Sequence, residues 1–227
     1  IMSFSVFSPE WFFGYDVALE FIFAIILLAV ALFAFRAYKL TEQKQLIYFG
    51  LSFFFIGTSY LIESIFNYMT ISKLNATICQ VVKIKSIALF DLMGIYTHMF
   101  FMTIGLVLLV YMTFKIEEKR PLWLLLIISL IAIFLSLNKI LIFFLLSSVY
   151  LLFLMWHFFR NYLSDKTKNT FMIAMAFFVL FISNLHFIFA LNHSIFYFAG
   201  HVLELIAYLL ILFNLVSLKN EKKKRSS

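Results

Sequence analysis

The sequence predicts an all-α polytopic membrane protein with seven transmembrane helices, and three observations predict it. Hydrophobic residues make up 64% of the chain and charged residues 13%, with a mean hydropathy of +1.03; lipid rather than water must solvate such a composition. The apolar residues gather into stretches that suit a hydrocarbon core about 30 Å thick, which takes about 20 residues of helix to cross. Nowhere does the chain alternate in the short segments of a transmembrane β-barrel.

The elements follow in order along a single membrane domain, residues 1–227. Residues 1–16, aromatic and slightly acidic from Ser3 to Asp16 and without a basic stretch, are expected to lie along the outer interface and not to be a cleaved leader. Three spans come next, Val17 to Tyr38, Leu46 to Tyr68 and Ile87 to Phe114 (residues 17–114). A short linker helix covers 122–137, and spans five to seven, Ile140 to Phe159, Phe171 to Leu191 and Ile195 to Leu218, occupy 140–218. Residues 219–227 form a basic tail.

Charge orients the chain. Of its 18 Lys and Arg residues, only Lys73, Lys83, Lys85 and Lys139 fall on the side opposite the rest. The positive-inside rule therefore predicts an outer N-terminus and a cytoplasmic C-terminus. Aromatic residues agree, with Trp11, Tyr15, Tyr68 and Tyr197 at one interface and Tyr38, Trp123, Trp156 and Tyr162 at the other. The net charge of +7 is thus a matter of topology and does not point to nucleic acid. The run Lys222-Lys223-Lys224-Arg225 offers about 1 kcal/mol per residue of attraction to anionic headgroups. Cys79, the lone cysteine, cannot form an internal disulfide, and Asn75-Ala76-Thr77 is a glycosylation sequon on the expected outer side.

A shift of 124 positions pairs Phe35, Arg36, Tyr38, Lys44, Phe53, Phe54, Ser59 and Leu61 with Phe159, Arg160, Tyr162, Lys168, Phe177, Phe178, Ser183 and Leu185. At a shift of 103, His98 meets His201. Spans one to three and five to seven then read as parallel copies, with span four restoring orientation in a 3+1+3 repeat.

This span order and the outer N-terminus resemble the sugar-transporter-like and opsin-like seven-helix proteins, without their motifs. The Pro-Gln pair of one such family is absent, the only prolines being Pro9 and Pro121. Span seven has no Lys before Lys219, which excludes a retinal Schiff base of the opsin kind. Arg36-Ala37-Tyr38-Lys39-Leu40-Thr41, with Gly200-His201-Val202-Leu203-Glu204-Leu205, resembles short multi-pass archaeal membrane proteins of unassigned function. Ser183-Asn184-Leu185-His186 lacks the spacing of the seven-span zinc hydrolases.

Ionisable residues inside a membrane are costly enough to mark functional sites. Here they are Glu20, Glu63, Asp91, His98, His157, His186, His201 and Glu204, and all but His157 fall in the outer half. Tyr197, His201, Glu204 and Tyr208 share one face of span seven, Tyr60, Glu63 and Asn67 one face of span two, and Ser183, His186 and His193 recur around span six. The expectation is an outward-facing polar pocket between helices 2, 3, 6 and 7, with helices 4 and 5 largely facing lipid and Glu20 and Asp91 at the wet outer rim. Its residues are Glu63, His98, His186, His201, Glu204, Tyr197 and Tyr208. Polar residues also glue helices together, and a satisfied packing network is the competing role.

Gly-rich phosphate loops, Gly-x-Ser-x-Gly, His-Glu-x-x-His and paired CxxC motifs are all missing, so no catalytic residue is assigned. The expected function is a sensor-like or small-ligand or ion-binding protein of the cell membrane; if it signals, its short loops demand a cytoplasmic partner protein. A small-solute carrier built on the two repeats is the alternative. Haem or zinc held by His98 and His201, and a structural subunit of a membrane complex, stand further off.

Overall fold

Backbone polar groups find no partner in hydrocarbon, so a chain this apolar satisfies them within helices. The structure, a computed structural model, describes residues 9–12, 14–75, 82–114, 116 and 118–226. Cys79 lies outside them, as do Ala76 and Thr77 of the sequon and the side chains of Lys83, Lys85 and Asp91. A short 3-10 turn, Glu10–Phe12, precedes α1 (Tyr15–Thr41), α2 (Lys44–Asn75), α3 (Val82–Phe114), α4 (Arg120–Leu135), α5 (Lys139–Asp165), α6 (Lys168–Ala190) and α7 (Ile195–Ser226). No strand occurs among the described residues.

Among the described residues, six of the seven helices are long and apolar enough to cross a membrane. The exception is α4, expected as a full span: its 16 residues reach about 24 Å at 1.5 Å per residue, against a core of about 30 Å. The other helices outrun their apolar stretches, because helical hydrogen bonding continues where lipid contact ends. Thus α5 extends through Arg160 to Asp165, and α7 carries the basic segment expected as a tail, in helical form, to Ser226.

The helices pack as a ring. In order, α1 meets α2, α2 meets α3, α3 meets α5, α5 meets α6, α6 meets α7, and α7 returns to α1. Outside the ring, α4 leans on α3 and α5, burying Leu122, Ser129 and Ile133 and leaving Trp123, Leu124, Ile127, Ile128 and Ile131 exposed. Ser129 bonds Tyr150 of α5. Helices 4 and 5 were expected to face lipid for the most part; α4 lies outside the ring, and α5 keeps most of its surface outside while lending Phe143, Ser147, Ser148, Leu151 and Leu154 to the interior.

Small residues bring the helices close. A Cβ on Gly105 of α3 would meet the Ile56 side chain and come within 2.8 Å of the Ser52 carbonyl, both on α2. On α7, a Cβ at Gly200 would lie 2.8 Å from the Phe187 ring of α6, and the Gly200 carbonyl accepts a bond from Ser183 Oγ at 2.9 Å.

Helices α1 and α5 are both 27 residues long, and each is closed by a left-handed residue. Glu42 (φ 56°) donates its N–H to the Tyr38 carbonyl, and Lys166 (φ 50°) donates to that of Tyr162, both at 2.8 Å.

Candidate functional site

The site begins on α1, where Glu20, Phe23, Leu27, Val30 and Ala34 recur at steps of three and four and all face the core. Glu20 is therefore 1% exposed, a correction to its expected place at the wet rim. Both its oxygens accept from Asn67 Nδ2 of α2, at 3.0 and 3.1 Å. Glu63, Asp16 and Glu204 are near enough to act on its charge. Asp16 itself secures the helix start, its Oδ1 accepting the N–H groups of Gly14 and Val17.

One turn inward on α2, Glu63 Oε2 lies 2.8 Å from His98 Nδ1 of α3. On the same face, Tyr60 turns toward α7: its hydroxyl donates to Glu204 Oε1 at 2.7 Å and lies 3.1 Å from the Tyr208 hydroxyl. Glu204 also faces His201 one turn earlier, with Oε2 3.3 Å from Nδ1. Aromatic rings enclose the His201 imidazole. Centroid distances are 4.5 Å to Tyr197, 5.1 Å to Phe187, 5.8 Å to Phe23 and 6.1 Å to Phe12. The Tyr60 ring, 5.0 Å from that of His98, links the two carboxylate–imidazole pairs.

Glu63, His98, His201, Glu204, Tyr197 and Tyr208 thus lie in one connected cluster. His186 stands apart, its Nδ1 2.8 Å from the Ile182 carbonyl of its own helix and its ring against Phe196. His193 is exposed on the α6–α7 turn. The cluster is built by α1, α2, α3 and α7, where helices 2, 3, 6 and 7 were expected; α6 contributes Phe187 to the cage and Ser183 to the packing. Glu20 and the cage rings Phe12 and Phe23 complete the site, and the repeat of buried positions on α1 was the signal for Glu20 and Phe23.

Among the described residues no Lys or Arg pairs with Glu20, Glu63 or Glu204, and no three His, Cys, Asp or Glu side chains converge as a metal would require. His98 and His201 instead each take a separate carboxylate. Below the cluster, a cavity of about 20 Å³ lies inside the ring, with Glu204, Tyr208 and Asn184 on its wall among Phe53, Ile56, Phe177 and Leu180.

No protein-family model matches this sequence, and neither does a curated protein or a solved structure.

Proposed function

We propose that this multi-pass membrane protein is an ion-binding protein whose ion is the proton, held by two linked carboxylate–imidazole pairs in the outer half of the bilayer. The observation that carries this is the joining of Glu63–His98 and Glu204–His201 through Tyr60, beside a buried Glu20, with no Lys or Arg partner among the described residues. Buried carboxylates without cations must hold protons, hydrogen bonds or an imidazolium. Two imidazoles cannot neutralise three ionised carboxylates, so charge balances only when at least one carboxyl of the cluster keeps a proton. The cell membrane, with the N-terminus outside and the C-terminus in the cytoplasm, is the setting that the charge distribution favours.

The test is a count of protons taken up per chain when purified protein is stepped from high to low pH. Uptake should fall in Glu63→Gln and in Glu204→Gln relative to wild type while both elute as wild type does. Unchanged uptake in both variants would rule out the site.

A second reading, a carrier of two parallel three-helix units, draws support from the register of the helices. Pairs 15/139, 41/165 and 44/168, the ends of α1 and α5 and the starts of α2 and α6, are each 124 apart, as are the left-handed pair Glu42 and Lys166. The units meet through Tyr60, Glu204 and Tyr208, the only hydrogen-bonded side chains that join them among the described residues. A sensor role would reach the cell through a partner protein at the cytoplasmic loops.

A further inference from the structure

We infer, on the ion-binding reading above, that the internal cavity beside Glu204 is a second ion site, and that it takes a small monovalent cation able to donate hydrogen bonds, the ammonium ion.

The direction of each hydrogen bond on the cavity wall carries this. Three polar side chains line the space, Asn184 of α6 with Glu204 and Tyr208 of α7, and each is more than nine-tenths buried. Asn184 Nδ2 donates to the Phe144 carbonyl at 2.8 Å and to Ser148 Oγ at 2.6 Å. Both its N–H groups are thereby used, and Oδ1 is left as an acceptor. Tyr60 has a single hydroxyl hydrogen and gives it to Glu204 Oε1 at 2.7 Å, so Tyr208 is the donor in the 3.1 Å contact between the two hydroxyls. Tyr208 then has only lone pairs to offer the cavity. Glu204 Oε2, buried, accepts no hydrogen bond. The wall thus presents acceptors on three side chains and no unused side-chain donor.

That pattern selects the occupant. The volume of about 20 Å³ has room for about one water-sized particle. An anion would meet only lone pairs and a carboxylate. Water donates two hydrogen bonds, which leaves one of the three acceptors unmet and adds no charge. Ammonium is close to water in size, carries four N–H groups, and brings the positive charge that no Lys or Arg among the described residues gives Glu204. There it takes the place of the proton that charge balance otherwise demands. Bare metal cations gather about six oxygen ligands, more than these three side chains supply. The rings of Phe53 and Phe177 complete the wall, and aromatic faces attract a cation.

The test titrates ammonium chloride into the full-length protein in detergent, at fixed pH and ionic strength, against sodium, potassium and tetramethylammonium chloride. Ammonium alone should raise the unfolding temperature, with saturation, because a ligand that binds only the folded chain stabilises it. Equilibrium dialysis with isotope-labelled ammonium should find about one ion per chain, and Glu204→Gln and Asn184→Leu should lose both effects. No ammonium retained by wild type, a rise as large with sodium or potassium, or unchanged binding in Glu204→Gln overturns the inference. Proton uptake by the same preparation separates the two claims: uptake without ammonium binding overturns the ammonium site alone, and ammonium binding without uptake overturns the proton reading alone.

Discussion

Tyr60 is the residue on which the cluster turns. Its hydroxyl satisfies Glu204 Oε1, and Glu204 Oε2 has no hydrogen bond of its own. Tyr60→Phe leaves the carboxyl without a buried donor and should cost about 1–3 kcal/mol in thermal or denaturant unfolding of the detergent-solubilised protein. Tyr208→Phe keeps the Tyr60 to Glu204 bond and should cost about 0.5–1.5 kcal/mol. Equal losses would mean that Tyr60 acts through packing. The Glu63–His98 pair calls for a double-mutant cycle: Glu63→Gln and His98→Asn should couple by about 1 kcal/mol or more, since the pair is in direct contact. Additive effects would dissolve the pair.

At the scale of elements, close approach and turn geometry set the ring. At Gly105 an added side chain runs into Ile56 and the Ser52 carbonyl, and a backbone atom does not yield as a side-chain end does. Gly105→Val should therefore destabilise by about 1–3 kcal/mol through overpacking, read as a lowered unfolding midpoint. Lys166 holds a left-handed conformation that costs an L-residue about 1 kcal/mol and glycine almost nothing. Lys166→Gly should thus raise stability slightly or leave it level, whereas Lys166→Pro cannot adopt φ 50° and should prevent the α5–α6 hairpin from forming. The same pair of substitutions at Glu42 should behave alike if the two hairpins are equivalent.

For the whole molecule, the proposed duplication explains why the site is one-sided. At the shift of 124, Glu20 and Glu63 correspond to Phe144 and Phe187, which stack with centroids 5.5 Å apart. At the separate shift of 103 that pairs the two histidines, His98 touches Glu63 as His201 touches Phe187. Phe187→Glu should then restore a carboxyl beside His201 and add about one proton to the uptake per chain; an unchanged count would argue against the equivalence.

The long apolar helices were legible because each stretch of about 20 apolar residues has one economical conformation in lipid. Their true ends were not, since Arg160 to Asp165 stay helical outside the apolar stretch. Depth was a poor guide to burial: Glu20, near an end of its helix, is sealed by helical phase. His186 shows the converse, for a face shared with Ser183 did not prevent its ring from bonding its own backbone.

The most direct measurement is infrared difference spectroscopy of the membrane-embedded protein between high and low pH, following the C=O stretch of protonated carboxyl groups. Carboxyl bands should titrate, shift in heavy water, and lose intensity in Glu63→Gln and in Glu204→Gln. Carboxyl bands that stay constant with pH, or that survive both substitutions unchanged, would contradict proton binding at the cluster.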